Sequence, residues 1–420
     1  MREMKDSGIA WVGAVPSNWG IMANKYLMKK IKVVKPAYED EDILSLTVNG
    51  VIVRDLEAGG KMPASFDGYQ TLYPGNLLMC LFDYDVTPRC IGLIKNNGVT
   101  SPAYSQFVMK GRNIADYYYY YYLMVDHTKA LLHLARNLRH SFTEEQLGMI
   151  AAPVPPVDEQ VHIAAYLDRR CAEIDSIASD IQSQIDTLEQ CKRSIITEAV
   201  TNGLNPDVEK RDSGIEYVGF VPAHWNQHPL YYYFGERKNK NALGLETNLL
   251  SLSYGRIVRR DIDSSDGLLP QSFNTYNIIE AGDIIIRPTD LQNDKRSLRT
   301  GLSREHGIIT SAYIAMKPLK RINVAYFHYL LHAFDVMKVF YNMGNGVRQG
   351  LNFSEFSRLM VLEPPIDEQD AIVSELNAKC AEIDAIIEDK KKQLTVIDEY
   401  KKSLIFEYVT GKKEVPLHEG

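Results

Sequence analysis

The sequence predicts a mixed α/β (α+β) chain of two homologous halves. Each half is a strand-rich region followed by one long helix, and the two helices pair as a coiled coil. Three observations predict this. The chain repeats itself at an offset of 206 to 209 residues. Two segments open on Pro-Pro-x-x-Glu-Gln and run on without glycine or proline to Asn202-Gly203 and to Gly411. Both segments carry apolar residues in alternating steps of four and three.

The first copy begins at Asp6. Residues 6–19, from Asp-Ser-Gly-Ile to Pro-Ser-Asn-Trp, recur at 212–225 with nine of 14 positions identical. Their Gly, Pro and Trp placement marks a turn-rich opening with an aromatic anchor, and core packing is the expected role of Trp19 and Trp225. Alternating runs follow, Leu44-Ser45-Leu46-Thr47 and Leu250-Ser251-Leu252-Ser253, which read as strands. Tyr73-Pro74-Gly75-Asn76 and Glu280-Ala281-Gly282-Asp283 read as turns, each feeding an apolar strand. The six tyrosines Tyr117 to Tyr122 align within Ala325 to Leu331, which has the pattern of a buried or amphipathic helix. Six consecutive tyrosines face every direction of a helix, so packing is expected for most of them, with solvent or a partner for the rest.

Each half then has a loop, Asn137 to Ser141 and Gly344 to Gly350, before its long helix. Asp158 reads as an N-cap, with Glu159 in the first turn, where the helix dipole favours acid. The first seam is Leu167, Cys171, Ile174, Ala178, Ile181, Ile185, Leu188, Lys192, Ile195 and Ala199. The second is Leu376, Cys380, Ile383, Ile387, Lys390, Leu394, Ile397, Lys401, Leu404 and Tyr408. Lys192, Lys390 and Lys401 break the apolar rule. If a pseudo-twofold relates the halves, the pair is antiparallel. The 44 residues from Asp158 to Thr201 make a rod about 66 Å long.

Composition narrows the function. With 45% hydrophobic and 24% charged residues the chain is ordinary for a soluble protein. No signal core and no apolar run of about 20 residues is present. Five cysteines without Cys-x-x-Cys indicate a reducing, cytoplasmic setting. The net charge of −7 is uneven: residues 151–204 carry −5 and 361–420 carry −6, whereas 1–150 carry +1 and 205–360 carry +3. The acid sits in the long helices, and the regions between are near neutral or mildly basic, which leaves room for a phosphate-binding surface.

No P-loop, Gly-x-Gly-x-x-Gly or His-Glu-x-x-His is present. His328 and His332 lie one helical turn apart without an evident third metal ligand. Cys171 and Cys380 fall on the seams. The chain offers no catalytic set and no metal site. Two readings remain: a binding protein with two heads on a spacer, or an enzyme whose catalytic residues follow no motif. The missing cofactor motifs favour the first.

The order of motifs carries a resemblance. Asp-Ser-Gly-Ile-x-x-Val-Gly-x-Val-Pro-x-x-Trp, a variable region, Pro-Pro-x-x-Glu-Gln and a long helix, all present twice, resemble the DNA-specificity (S) subunit of type I restriction–modification systems. The resemblance spans essentially the whole chain. It implies target-recognition domain 1 at 1–150, a spacer helix at 151–204, domain 2 at 205–360, and a second spacer helix with tail at 361–420. Each domain would read one half of a split double-stranded DNA site, and the helices would set the gap. Two modification (methyltransferase) subunits would dock on the repeats, and two restriction (translocase/nuclease) subunits would complete the complex. S-adenosylmethionine, ATP and Mg²⁺ would sit on those partners, with no cofactor and no chemistry on this chain. A related assembly whose partner fuses methylation and cleavage is the alternative. The expected DNA-binding residues are Arg54, Lys61, Arg136, Arg139 and His140 in the first half. In the second they are Arg256, Arg259, Arg260, Arg287, Lys295, Arg296, Arg299, Arg348 and Gln349.

Overall fold

The computed structural model describes residues 2–57, 63–135, 140–262, 270, 272–289, 298–343 and 350–416. The chain forms two compact units, Met1–Gln182 with Lys391–Gly420, and Ser183–Lys390. Each unit therefore holds one head together with part of both long helices.

In the first unit the head runs through β1 (Gly20–Ala23), β2 (Met28–Ile31), the hairpin β3 (Leu44–Thr47) and β4 (Gly50–Val53), β5 (Leu77–Met79), β6 (Ile91–Leu93) and β7 (Ser105–Met109). Helix α1 (Ala115–His127) and strand β8 (Ala151–Val154) follow, and then α2 (Val157–Asn202) begins. Strands β2, β7, β5 and β6 form one antiparallel sheet in that order. The run Leu77-Leu78-Met79 is apolar throughout because both faces of the sheet are covered. Leu77 and Met79 join the main core with the tyrosines, while Leu78 joins a smaller cluster with Leu44, Leu72 and Ile94.

The second unit repeats the plan. It contains β9 (Asn226–Pro229), β10 (Phe234–Glu236), the hairpin β11 (Leu250–Ser253) and β12 (Arg256–Arg259), β13 (Ile284–Ile286), β14 (Thr300–Leu302) and β15 (Ile314–Pro318). Helix α3 (Val324–Val336), strand β16 (Met360–Glu363) and α4 (Ile366–Val409) complete it. The sheet order β10-β15-β13-β14 matches the first head strand for strand. Ile284 and Ile286 again face the main core, and Ile285 the smaller one.

The tyrosine run is core. Tyr117, Tyr118, Tyr120, Tyr121 and Tyr122 are buried, and only Tyr119 is partly exposed. A helix buried nearly all round can use tyrosine only if the hydroxyls find acceptors. Tyr117 donates to the Val409 carbonyl at 2.8 Å, Tyr118 to that of Pro153 at 3.2 Å, and Tyr120 to the Asp168 carboxylate at 2.7 Å. Burial raises the pKa of each of these phenols well above its ordinary value.

Both tryptophans are buried, and each meets a tyrosine edge-on with centroids 6.4 Å apart, Trp19 with Tyr117 and Trp225 with Tyr326. Each of those tyrosines caps a long helix: Tyr117 bonds Val409 near the end of α4, and Tyr326 bonds the Val200 carbonyl near the end of α2 at 3.2 Å. The terminating glycines sit beneath the tryptophans in left-handed backbone, with φ of +69° at Gly411 and +75° at Gly203.

The Pro-Pro-x-x-Glu-Gln motif is a clamp. Gln160, fully buried, donates to the Pro155 carbonyl at 2.9 Å and to Asn113 at 3.2 Å, and accepts from the Ile114 amide at 2.9 Å. Gln369 donates to the Pro364 carbonyl at 2.8 Å and accepts from the Asn323 amide at 3.0 Å. Each glutamine thus ties the start of a long helix to the residue before the helix of its head. The glutamates differ. Glu159 accepts from the Trp19 indole at 2.7 Å, whereas Glu368 meets the His224 imidazole at 2.8 Å. The Trp225 indole N–H is left buried without a partner among the described residues.

The helix pairing is antiparallel within each unit. In the first, Tyr166 stacks near Tyr408 and Asp175 meets Lys401. In the second, Gln184 meets Lys390 and Asp384 meets Lys192. Of the expected seam, Leu167, Cys171, Ile174, Ile185, Leu376, Cys380, Ile383, Ile387 and Leu404 are buried. Ile181, Leu188, Ile195, Leu394 and Ile397 are half-buried. The lysines that break the heptad rule are the cross-helix bonds. Lys192 reaches Asp384 at 2.6 Å and Lys401 reaches Asp175 at 2.6 Å. The two pairs are the same pair in the repeat, since 192 and 401, like 175 and 384, differ by 209. A polar pair at a seam position penalises other registers, where its charges would lose each other.

Candidate nucleic-acid interface

One exposed basic surface among the described residues is the second unit's hairpin. Arg256 and Arg259 open and close β12, three residues apart and so on opposite faces of a ribbon whose other strand buries Leu250. Their side chains are 72% and 73% exposed. Arg256 lies 3.2 Å from Asp384 on α4, and Arg259 lies 2.6 Å from Glu305. Bonds from Asn248 first and Arg259 next hold the Glu305 carboxyl below its ordinary pKa. Arg260 follows them, exposed, with its amide bonded to the Leu249 carbonyl at 2.8 Å. Arg304, which no motif marks, shares a cavity of about 610 Å³ with Arg256, His328 and His332.

His328 and His332 are helix-packing residues. Burial pushes each imidazole down to about 4, helped at His328 by His332 and Arg304, and at His332 by Lys192 and Arg193. Both are therefore neutral at pH 7. No group of three His, Cys, Asp or Glu able to hold a metal occurs among the described residues.

Arg299 corrects an expectation. It is fully buried. Its guanidinium donates to the Tyr341 hydroxyl at 3.0 Å and to the Thr289 carbonyl, and its amide donates to the buried Asp335 carboxylate at 2.5 Å. An arginine so enclosed braces the head and cannot reach DNA. Cys90 holds the corresponding place in the first head, where its amide donates to Asp126 at 2.8 Å.

The other expected residues are scattered. Arg54 is half-buried after β4, its amide bonded to Ile43. His140, at a φ of +41°, lies 2.8 Å from Asp85. Arg287 is half-buried, its amide bonded to the Arg299 carbonyl at 2.9 Å. Lys61, Arg136, Arg139, Lys295, Arg296, Arg348 and Gln349 lie outside the described residues. In the first unit, Lys25, Lys29, Lys30 and Lys110 surround a cavity of about 1000 Å³. Only the adjacent Lys29-Lys30 pair could have signalled this in the sequence.

The chain thus carries two strand-rich heads of one topology, each followed by a long helix, with arginines on an exposed ribbon of the second head. Comparison with known proteins gives that architecture a context. Over 281 residues, 66% of this chain and 62% of the relative, the chain is 24% identical to the type I restriction enzyme MjaX specificity subunit of Methanocaldococcus jannaschii. It is 22% identical over 283 residues, 63% of each chain, to the MjaVIII specificity subunit of the same organism. The matches thus span less than two thirds of those relatives. A chain solved in work on assembly and conformational transition of the type I R-M system superposes at a TM-score of 0.65, with 12% identity, over 95% of this chain and 99% of that one. No family model matches. The curated relatives of this chain are type I restriction specificity subunits, as the repeated motifs led us to expect, and its fold is shared with a chain of that system. No helix among the described residues is long and apolar enough to cross a membrane.

Proposed function

We propose that this chain is the sequence-specific DNA-binding specificity subunit of a type I restriction–modification complex. Each head reads one half of a bipartite site, the helix pair sets the unread gap, and the acidic spacers dock two modification subunits, with two restriction subunits completing the assembly. The names of the relatives carry this reading, and the duplicated head on a helical pair supports it. S-adenosylmethionine, ATP and Mg²⁺ belong to the partners, and methyl transfer to a flipped adenine takes place there. The residues of this chain bind and orient DNA: Arg256, Arg259 and Arg260 supply cationic contacts, mostly to phosphate.

Sequencing methylated adenines in the genome of the cell that carries this chain tests the proposal, because it reports both half-sites and the gap at once. Inserting matched heptads into both long helices is expected to lengthen the gap and leave the half-sites unchanged. Altered half-sites with an unchanged gap would refute the spacer role.

A further inference from the structure

The hairpin β11–β12 ends in the two-residue loop Tyr254-Gly255, closed by the pair Ser253 and Arg256. Both loop residues have positive φ, +46° and +77°. That is the type I′ arrangement, which asparagine followed by glycine fits best. A bulky aromatic in left-handed backbone is strained. Among the described residues no bond offsets the strain, and the ring only borders the cavity that Arg256 also lines. Tyr254 is 82% exposed, and its side chain makes no hydrogen bond, ion pair or ring contact with another described residue. The first head turns its equivalent hairpin with Val48-Asn49, neither of them at positive φ, and carries no arginine within those strands. The strained tyrosine is thus peculiar to the second head, on the same ribbon as Arg256 and Arg259.

Strain that serves no packing purpose points to a ligand outside the unit. The neighbouring charges say which. An aromatic ring beside several exposed guanidinium groups suits a polyanion that also offers apolar base-edge contacts such as thymine methyl groups, and a two-stranded ribbon is narrow enough to reach them in the major groove. We propose that Tyr254 is a specificity-determining residue of the second head, its ring packing against the bases while the β12 arginines hold the flanking phosphates. The inference rests on the proposed function, because it presumes that this head reads DNA.

The test uses the full chain and a pool of duplex DNA with randomised positions. The unmodified chain first selects its bipartite sequence, and affinities for that duplex are then compared. Tyr254→Asn gives the loop its preferred residue, so the thermal midpoint rises by about 2 °C. Its affinity nevertheless falls by roughly fivefold to a hundredfold, the range of one lost base-edge contact. Selection with this variant relaxes one half-site and leaves the other intact. Tyr254→Phe keeps the ring and retains affinity. Unchanged affinity and unchanged half-sites for Tyr254→Asn overturn the inference while leaving the proposed function standing. If the unmodified chain selects no sequence, the proposed function falls, and this inference with it.

Discussion

Gly411→Ala isolates the junction between a head and a long helix. Gly411 ends α4 at a φ of +69°, a conformation that costs alanine about 1 kcal/mol. A Cβ there would also lie 2.5 Å from Pro16 Cδ and Cγ and 2.8 Å from Trp19 Cη2. Neither ring can swing aside. Proline is fixed by its own backbone, and Trp19 is buried and bonded to Glu159. Relief therefore requires a shift of roughly 1 Å in packed groups, an overpacking cost of about 1–3 kcal/mol. The total is about 2–4 kcal/mol. Gly203→Ala is the internal control. Its φ is +75°, but the nearest contacts are the mobile Glu368 Oε1 at 2.9 Å and Trp225 Cζ2 at 3.3 Å, so about 1–2 kcal/mol is expected. Hydrogen exchange of the peptides covering residues 400–411 and 195–203 reads each junction separately. Equal destabilisation by the two variants, or less than about 1 kcal/mol for Gly411→Ala, would refute the reasoning.

Three further experiments test other parts of the fold. His224→Asn copies Asn18 of the first head and frees Glu368 to accept from Trp225, so the second unit gains about 1 kcal/mol in urea unfolding; a loss would show that the Glu368–His224 contact matters more than the orphaned indole. His328 and His332 have pKa values lowered to about 4 from an ordinary 6.5, so their stabilising contribution is complete above pH 6.5 and is lost as pH falls toward 4. Replacing both by phenylalanine flattens that part of the stability–pH curve by a few kcal/mol, and an unchanged slope would mean that the imidazoles are solvated. A double-mutant cycle on Lys401 and Asp175 gives a coupling of only about 0.5 kcal/mol, since Asp175 is 62% exposed; the register penalty appears instead as mixed helix pairings when the two charges are exchanged separately.

The repeat made most of the fold legible. A strand run that is ambiguous alone becomes firm when Leu44–Thr47 and Leu250–Ser253 fall at the same offset, and both form the first strand of a hairpin. Heptad spacing picked out residues that are buried or half-buried, and even its exceptions carried information, because Lys192 and Lys401 bond from one long helix to the other. The interface was harder to read. A count of arginines cannot separate Arg256, on an exposed ribbon, from Arg299, which fills a polar hole formed by Asp335, Tyr341 and Thr289 from distant parts of the sequence. The tyrosine run is packed, as expected for most of it, but the acceptors that let it be buried were not legible: Tyr117, Tyr118 and Tyr120 end on carbonyls and a carboxylate supplied by the long helices and by β8.

One pairing has a consequence for how such chains diversify. Strand β1, where the first head begins, lies against β8, where it ends, from Gly20 with Val154 to Ala23 with Ala151. Strands β9 and β16 bracket the second head in the same way, from Asn226 with Glu363 to Pro229 with Met360. Everything between two such strands is an insertion whose ends are already neighbours, so replacing it leaves the chain path of the remainder unchanged. Genetic exchange at these strands could trade one head for another in a single event. The tryptophans, the two glutamines and the helical register would stay with the remainder, and the incoming head would have to supply the partners now given by Tyr117 and Ile114, or by Tyr326 and Asn323.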